Sequence, residues 1–213
     1  AFLFTAMLVV YGYSIPDSFN TVRENRRFFD SDGEYITRQF RQGQTIGHND
    51  HVLYHVLGGW LFSHAGNMPG FSKDPVSSHK AMSVFFGALG VALLFLYGVS
   101  LTGRIAPALL SALFIAGSAG HWFFSATVDT YVPSLCFSIV ALGLALRCLR
   151  QQRVGNYVAL GAAVGMAFLF RTDAVLLVVL APVAFVARQR LFSRLAAGIA
   201  ACALVGAGGY AAL

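Results

Sequence analysis

Three carboxylates stand within five residues near the start of the chain, in the stretch DSDGE that holds Asp30, Asp32 and Glu34. A carboxylate held at a membrane face can act as a general base that removes the proton of an incoming hydroxyl group. The same side chains have a simpler interpretation, because acidic residues before and within the first turn of a helix cap it and interact favourably with its macrodipole. The residues alone leave both interpretations open.

Histidines follow at short spacing in GHNDHVLYH, which contains His48, His51 and His55. His51 and His55 are four residues apart, so in one helix they would share a face. With Asp50 or Glu34 they can bind a divalent metal, although the HExxH pattern is missing, and no other cofactor is indicated. We favour hydrogen bonding to a phosphate or hydroxyl group of a substrate, since imidazole N–H groups are donors.

Two further polar groups lie at the ends of apolar runs, in HWFFSATVDTYVPS and in FLFRTDAVLL. Burying Asp129 inside an apolar run without a partner would be costly. Arg171 and Asp173 can form a local ion pair that closes a hairpin, or Arg171 can bind a lipid phosphate with its planar guanidinium. The candidate substrate-binding residues are therefore His48, His51, Tyr54, His55, His121, Asp129, Arg171 and Asp173.

The surroundings of these polar groups are apolar. The chain has 213 residues, of which 57% are hydrophobic and only 11% charged, whereas soluble domains carry about 25% charged residues. This composition indicates an integral membrane protein. The net charge of +6 does not indicate nucleic acid as a partner, because arginine-rich cytoplasmic loops account for it.

Seven apolar runs predict an all-α, polytopic transmembrane protein of about seven spans, forming a single transmembrane domain over 1–213. The first and last runs are cut short, so we expect a fragment or a chain incomplete at its ends. The runs lie at about 1–15, 80–101, 104–120, 127–148, 155–170, 172–188 and 194–213.

Between the first two runs, residues 16–79 form a long first outer loop, which we expect to be helical and functional. A helix is predicted over 32–42, and an apolar helix over 50–64 is too short to span and suits the membrane interface. Its aromatic side chains fit an interfacial belt: Tyr54, Trp60 and Phe62.

Charge placement predicts the orientation of the spans. If the arginine-rich loops at 149–154 and 188–194 are cytoplasmic, the amino end is inside and 16–79 is outside. The inner loops then hold seven arginines and no acid, while all nine acidic residues lie outside. The positive-inside rule expects this bias.

In order and spacing, these motifs resemble the GT-C superfamily of polyprenyl-phosphate-sugar-dependent glycosyltransferases, nearest to the protein O-mannosyltransferase and aminoarabinose-transferase group. The similar segments are the acidic motif, HNDHVLY, MSVFFGALGVALLFLYGVSLTG, SATVDTYVPSLCFSIVALGLALR and GMAFLFRTDAVLLV, over about residues 1–190. The chain has DSDGE where DE or DSGE is usual, lacks the prolines of the histidine motif, and has Asp129 where Glu is usual. Its length matches the amino-terminal half of such enzymes.

The resemblance implies an inverting sugar transfer from a polyprenyl-phosphate donor at the outer membrane face. It places the catalytic base at Asp32 or Glu34, with Asp30 third. It also implies membrane lipid and the lipid-linked sugar as partners, and a bacterial inner membrane with the acidic loop on the periplasmic side. The alternative is a non-catalytic GT-C-like subunit that packs against a larger membrane complex. The missing half favours the subunit and the retained acids and Arg171 favour the enzyme, so catalysis stays open.

Overall fold

The structure, a computed structural model, describes residues 1–15, 33–43, 51–65, 74–174 and 192–211. These residues form helices and no strands, which confirms the all-α prediction. The helices are α1 (Phe2–Ser14), α2 (Gly33–Arg41), α3 (Val52–Ala65), α4 (Pro75–Thr102), α5 (Ile105–Ala116), α6 (Ala119–Ala126), α7 (Tyr131–Arg150), α8 (Val154–Phe170) and α9 (Phe192–Ala211).

The chain divides into two compact units. Unit 1 comprises Ala1–Asn49 and Tyr54–Pro133, and unit 2 comprises Asp50–Leu53 and Ser134–Leu213. The single transmembrane domain over 1–213 stays a prediction.

Two helices, α4 and α7, are long and apolar enough to cross a membrane, and the bent pair α5 and α6 can form a third span. Shorter apolar helices occur at Phe2–Ser14, Val154–Phe170 and Ala196–Val205. The chain is thus a helical integral membrane protein. The count of seven spans stays a prediction, and most of the run at 172–188 lies outside the described residues.

The longest helix, α4, has clear signals at both ends. The Asp74 side chain accepts the N–H of Val76 at 3.0 Å, and Pro75 occupies the first helical position, where its missing N–H costs nothing. At the other end Gly103 adopts φ 67° and its N–H donates to the carbonyl of Val99, a conformation that favours glycine. The 28 residues span about 42 Å, more than a bilayer core requires.

The run predicted at 104–120 is broken in the structure. Helices α5 and α6 meet at an angle of 64°, and the break at Gly117 and Ser118 exposes carbonyls of the last turn of α5. The hydroxyl of Tyr11 in α1 donates to the carbonyl of Ala116 at 3.1 Å, and that of Ser118 donates to Ile115 at 2.7 Å. Such partners are required where no water can reach the backbone.

In unit 2, α8 and α9 pack backbone against backbone. A Cβ atom built at Gly161 would overlap the carbonyl of Gly198, and one at Gly165 would lie 3.0 Å from the carbonyl of Cys202. Small residues permit this close approach, as is common between membrane helices. The core beside it is also built largely from small residues: Ala141, Ala145, Cys148, Tyr157, Leu160, Ala163 and Val164.

Candidate functional site

One of the candidate bases, Glu34, falls at the start of α2. The helix predicted over 32–42 is confirmed as Gly33–Arg41, so Glu34 is its second residue. The structure does not describe the side chain of Glu34, and Asp30, Asp32 and His48 lie outside the described residues. Their catalytic and substrate-binding roles therefore stay predictions.

Unit 1 holds α2 in place through packing and through an ion pair at its end. Ile36 and Thr37 are buried, and the Thr37 hydroxyl donates to the carbonyl of Gly33 at 2.8 Å within the helix. At the end of α2, Arg41 Nη2 lies 2.7 Å from Asp74 Oδ2, with both side chains 40% exposed. The residue that begins α4 thus also contacts the end of α2.

A polar network joins α3, α4 and the segment before α7. The Tyr54 hydroxyl lies 3.2 Å from both the carbonyl of His79 and Oγ of Ser83. The Ser83 hydroxyl lies 3.1 Å from the carbonyl of Asp129, and the N–H of Asp129 donates to Ser83 Oγ at 3.4 Å. All four residues are buried, so the network fixes Asp129 against the start of α4.

Burial changes the interpretation of Tyr54 and Asp129. Tyr54 is fully buried, so its predicted place in an interfacial aromatic belt is wrong, while Trp60 is 57% exposed. The hydroxyl turns inward because partners for it exist there. Burial, and to a smaller extent the Asp129 carboxylate, raises the pKa of Tyr54, so this hydroxyl stays protonated and donates.

Asp129 lies two residues before the start of α7, so the run predicted at 127–148 begins earlier than the helix does. Its Oδ1 accepts the N–H of Tyr131, the first residue of α7, at 2.9 Å. The side chain is fully buried. A short acidic side chain stabilises a helix start, which explains why the helix begins after this residue.

The rings of His55 and His121 contact other protein groups in unit 1. His55 is stacked on Phe40 with a centroid distance of 6.0 Å. His121 is buried, its Nε2–H points to the carbonyl of Gly87 at 3.4 Å, and its ring meets that of Tyr11 edge-on. These contacts show that both rings pack against other groups of the protein. A substrate-binding role for either histidine stays a prediction.

His51 and Arg171 are connected through unit 2. Helix α3 begins at Val52, so His51 precedes it and the predicted helix face shared with His55 is wrong. The Nδ1–H of His51 donates instead to the carbonyl of Phe170 at 3.2 Å, which is the residue before Arg171. The structure therefore places an imidazole at the end of α8, beside the backbone that carries the guanidinium.

The predicted ion pair of Arg171 and Asp173 is confirmed. Nε of Arg171 lies 3.1 Å from each carboxylate oxygen of Asp173. The arginine side chain is 16% exposed and the carboxylate 58%, so the arginine is largely covered while its partner reaches the surface. Residues 172–174 form a short turn that brings the two together.

For a divalent metal, the described part of the chain contains no group of three or more His, Cys, Asp or Glu that can hold one. Of the residues in the metal hypothesis, His48 and Asp50 lie outside that part.

Sequence reasoning missed three polar residues at the start of α4. His79 and Ser83 are fully buried and join the network with Tyr54, and Lys80 is buried with its Nζ donating to the carbonyl of Ile15. The last contact places the end of α1 beside the start of α4. The available signal was the polar string SSHK before an apolar run, with His79 and Ser83 spaced to share a helix face.

These observations define a class: a helical integral membrane protein in whose described part buried polar groups cluster near helix ends. Residues 57–207 match the model of the dolichyl-phosphate-mannose-protein mannosyltransferase family. Because the match covers more than half of the chain, the chain belongs to this family of GT-C membrane glycosyltransferases, which confirms the resemblance. No curated protein and no solved structure matches the chain.

Proposed function

We propose that the chain transfers a sugar from a polyprenyl-phosphate donor to an acceptor at the outer face of a bacterial inner membrane. Membership of a glycosyltransferase family supports the reaction class. The family description names a lipid-phosphate sugar and a protein, and we propose a lipid-linked donor of this chemistry here. The sorting of all nine acids to one side of the predicted topology supports the outer face.

The observation that carries this proposal is that the imidazole of His51 lies at the end of α8, where the guanidinium of Arg171 follows. His51 is fixed by the carbonyl of Phe170, and Arg171 follows directly in the chain. A departing polyprenyl phosphate carries negative charge beside the bilayer, where a guanidinium stabilises it, and where the protonated form of the imidazole can donate from Nε2 while Nδ1–H stays on the carbonyl of Phe170. Asp173 contacts Nε of Arg171 and can orient the guanidinium toward such a phosphate.

The base in this proposal comes from the acidic stretch DSDGE within the predicted outer loop. The acceptor hydroxyl oxygen attacks the anomeric carbon of the sugar, and Asp32 or Glu34, with Asp30 third, takes the hydroxyl proton. The bond between the anomeric carbon and the phosphate oxygen breaks, and polyprenyl phosphate leaves. The other proposed substrate contacts are His48, Tyr54, His55, His121 and Asp129.

The decisive experiment removes the basicity of the acids and retains their shape. Removal of a general base lowers a rate by about 10² to 10⁴, so Asp32→Asn combined with Glu34→Gln should abolish most transfer. The assay follows labelled mannose from polyprenyl-phosphate mannose to membrane protein, with the chain reconstituted in liposomes. Arg150→Gln, at the predicted inner end of α7, is the matched control. Full activity of the double variant would refute the proposed base.

The alternative function is a non-catalytic GT-C-like subunit of a larger membrane complex. The local pairing of Arg171 with Asp173 favours it, because an ion pair that only closes a turn needs no substrate. The two functions differ in what loss of Arg171 changes, namely affinity for the sugar donor or stability of the fold.

A further inference from the structure

His79 is the point in unit 1 where α2, α3 and α4 meet. Its ring is fully buried. The ring centroid lies 4.6 Å from that of Phe40 in α2 and 5.5 Å from that of Tyr54 in α3. Its Nδ1–H donates to the carbonyl of Pro75 at 2.8 Å, one turn earlier in α4. The ring therefore has a fixed orientation, with an aromatic neighbour from each of the other two helices.

Two adjacent glycines of α3 make room for these rings. A Cβ atom at Gly58 would overlap the His79 ring at Nε2, and one at Gly59 would lie 2.8 Å from Cε1 of Phe40. Nε2 of His79 is buried and has no hydrogen-bond partner among the described residues. We call the arrangement of Gly58, Gly59, Phe40 and His79 the glycine notch.

The glycine notch matters for α2 because this helix depends on contacts with the rest of unit 1. A helix of 9 residues is too short to be stable in isolation, so its position depends on tertiary contacts. One contact is the exposed pair of Arg41 and Asp74, and exposed pairs of this kind contribute little. The half-buried ring of Phe40, which lies against the fully buried ring of His79 in the notch, is the stronger restraint.

We propose that His79 is a positioning residue for sugar transfer: through the glycine notch it sets the place of α2, and with it the backbone position of Glu34 at the start of that helix. The inference rests on the proposed function, because it assumes that Asp32 or Glu34 is the base. Histidine suits the notch because it offers a flat ring to Phe40 and Tyr54 and one N–H to Pro75. A larger six-membered ring would collide with Gly58.

Gly58→Ala tests the notch most directly. The added methyl group displaces the His79 ring, so the amides of α2 should exchange with solvent about tenfold faster in hydrogen-exchange mass spectrometry. A misplaced base should lower kcat by about 10²-fold, while KM for polyprenyl-phosphate mannose stays within about twofold. Gly120→Ala is the matched control, because a Cβ there meets nothing within 4 Å. All variants are compared at a temperature where each is folded.

Changes at His79 complete the test. His79→Ala should loosen α2 in the same way, and the double variant Gly58→Ala, His79→Ala should recover part of the loss, because the new methyl group occupies space left by the ring. His79→Asn retains an N–H near the carbonyl of Pro75 and should lose less activity than His79→Ala. If Gly58→Ala does not fold, the comparison of His79→Ala with His79→Asn decides.

Two results would overturn the inference. Unchanged exchange of α2 in both Gly58→Ala and His79→Ala would show that the notch does not hold the helix. Faster exchange with unchanged kcat would show that the place of α2 does not matter for transfer. A wild-type chain that is inactive with this donor would contradict the proposed function instead, and the exchange data alone would then decide whether the notch holds α2.

Discussion

The two units use glycine for helix packing in physically different ways. In the glycine notch of unit 1, the absent Cβ atoms of Gly58 and Gly59 leave space for the side-chain rings of His79 and Phe40. Between α8 and α9 of unit 2, the absent Cβ of Gly161 leaves space for a backbone carbonyl. A ring can be truncated by a second substitution, whereas a carbonyl cannot be removed, so the same glycine substitution should be rescued in one unit only.

Gly161→Ala should have the largest effect on stability. The new methyl group meets the carbonyl of Gly198, so the two helices must separate along their length. Overpacking of this kind costs about 1–3 kcal/mol, and loss of the close contacts beside it puts this site at the upper end. Thermal unfolding in detergent measures the loss, and Gly155→Ala, where a Cβ meets nothing within 4 Å, is the control. Equal stability of the two variants would refute the backbone contact.

Arg171→Gln should have the next largest effect. This variant distinguishes the proposed sugar transferase from the non-catalytic subunit. A charge-assisted contact to a phosphate is worth about 1.5–3 kcal/mol, so affinity for polyprenyl-phosphate mannose should fall about tenfold or more. Arg150→Gln should leave that affinity unchanged.

A purely structural ion pair predicts a different result for the same arginine. Arg171→Gln would then lower the unfolding temperature without changing affinity for the sugar donor, and adding Asp173→Asn would restore it. Measuring affinity and stability on the same proteins distinguishes the alternatives, and restored stability with unchanged affinity would favour the non-catalytic subunit.

Tyr54→Phe should destabilise unit 1 by about 1 kcal/mol, the usual net worth of one hydrogen bond. The hydroxyl lies between Ser83 and the carbonyl of His79, so its loss weakens the link between α3 and α4. Thermal unfolding is the measurement. Ser63→Ala is a suitable control, because that hydroxyl bonds only within the exposed turn of α3. A loss no larger than that of Ser63→Ala would show that the network does not stabilise the fold.

How much of the fold could be predicted from the sequence depends on how far apart the interacting residues are in it. Apolar runs located α4, α7 and α8 because hydropathy is a local property. The break at Gly117 and Ser118 was missed, because the run stays apolar there and the hydroxyl that satisfies the break comes from Tyr11 in another helix.

The same limit applies to the candidate site. The burial of Tyr54 was missed because Ser83 and Asp129 lie 29 and 75 positions further on. The pair of Arg171 and Asp173 was predicted because its members are two residues apart. The contact of His51 with Phe170, 119 residues away, had no signal in a single sequence.

The smallest effect on stability should come from the exposed ion pair between Arg41 in α2 and Asp74. Its size gives a reference for the effect of the glycine notch on the same helix. Arg41 and Asp74 are 2.7 Å apart but both 40% exposed, so solvent screens their attraction and Arg41→Gln should cost less than about 0.5 kcal/mol. Asp74 also caps α4 through Val76, so Asp74→Ala should cost about 1 kcal/mol, whereas Asp74→Asn retains the cap and should behave like Arg41→Gln. Thermal unfolding gives these differences, and hydrogen exchange of α2 gives the local effect. If Arg41→Gln loosened α2 as much as Gly58→Ala, the ion pair rather than the notch would position α2.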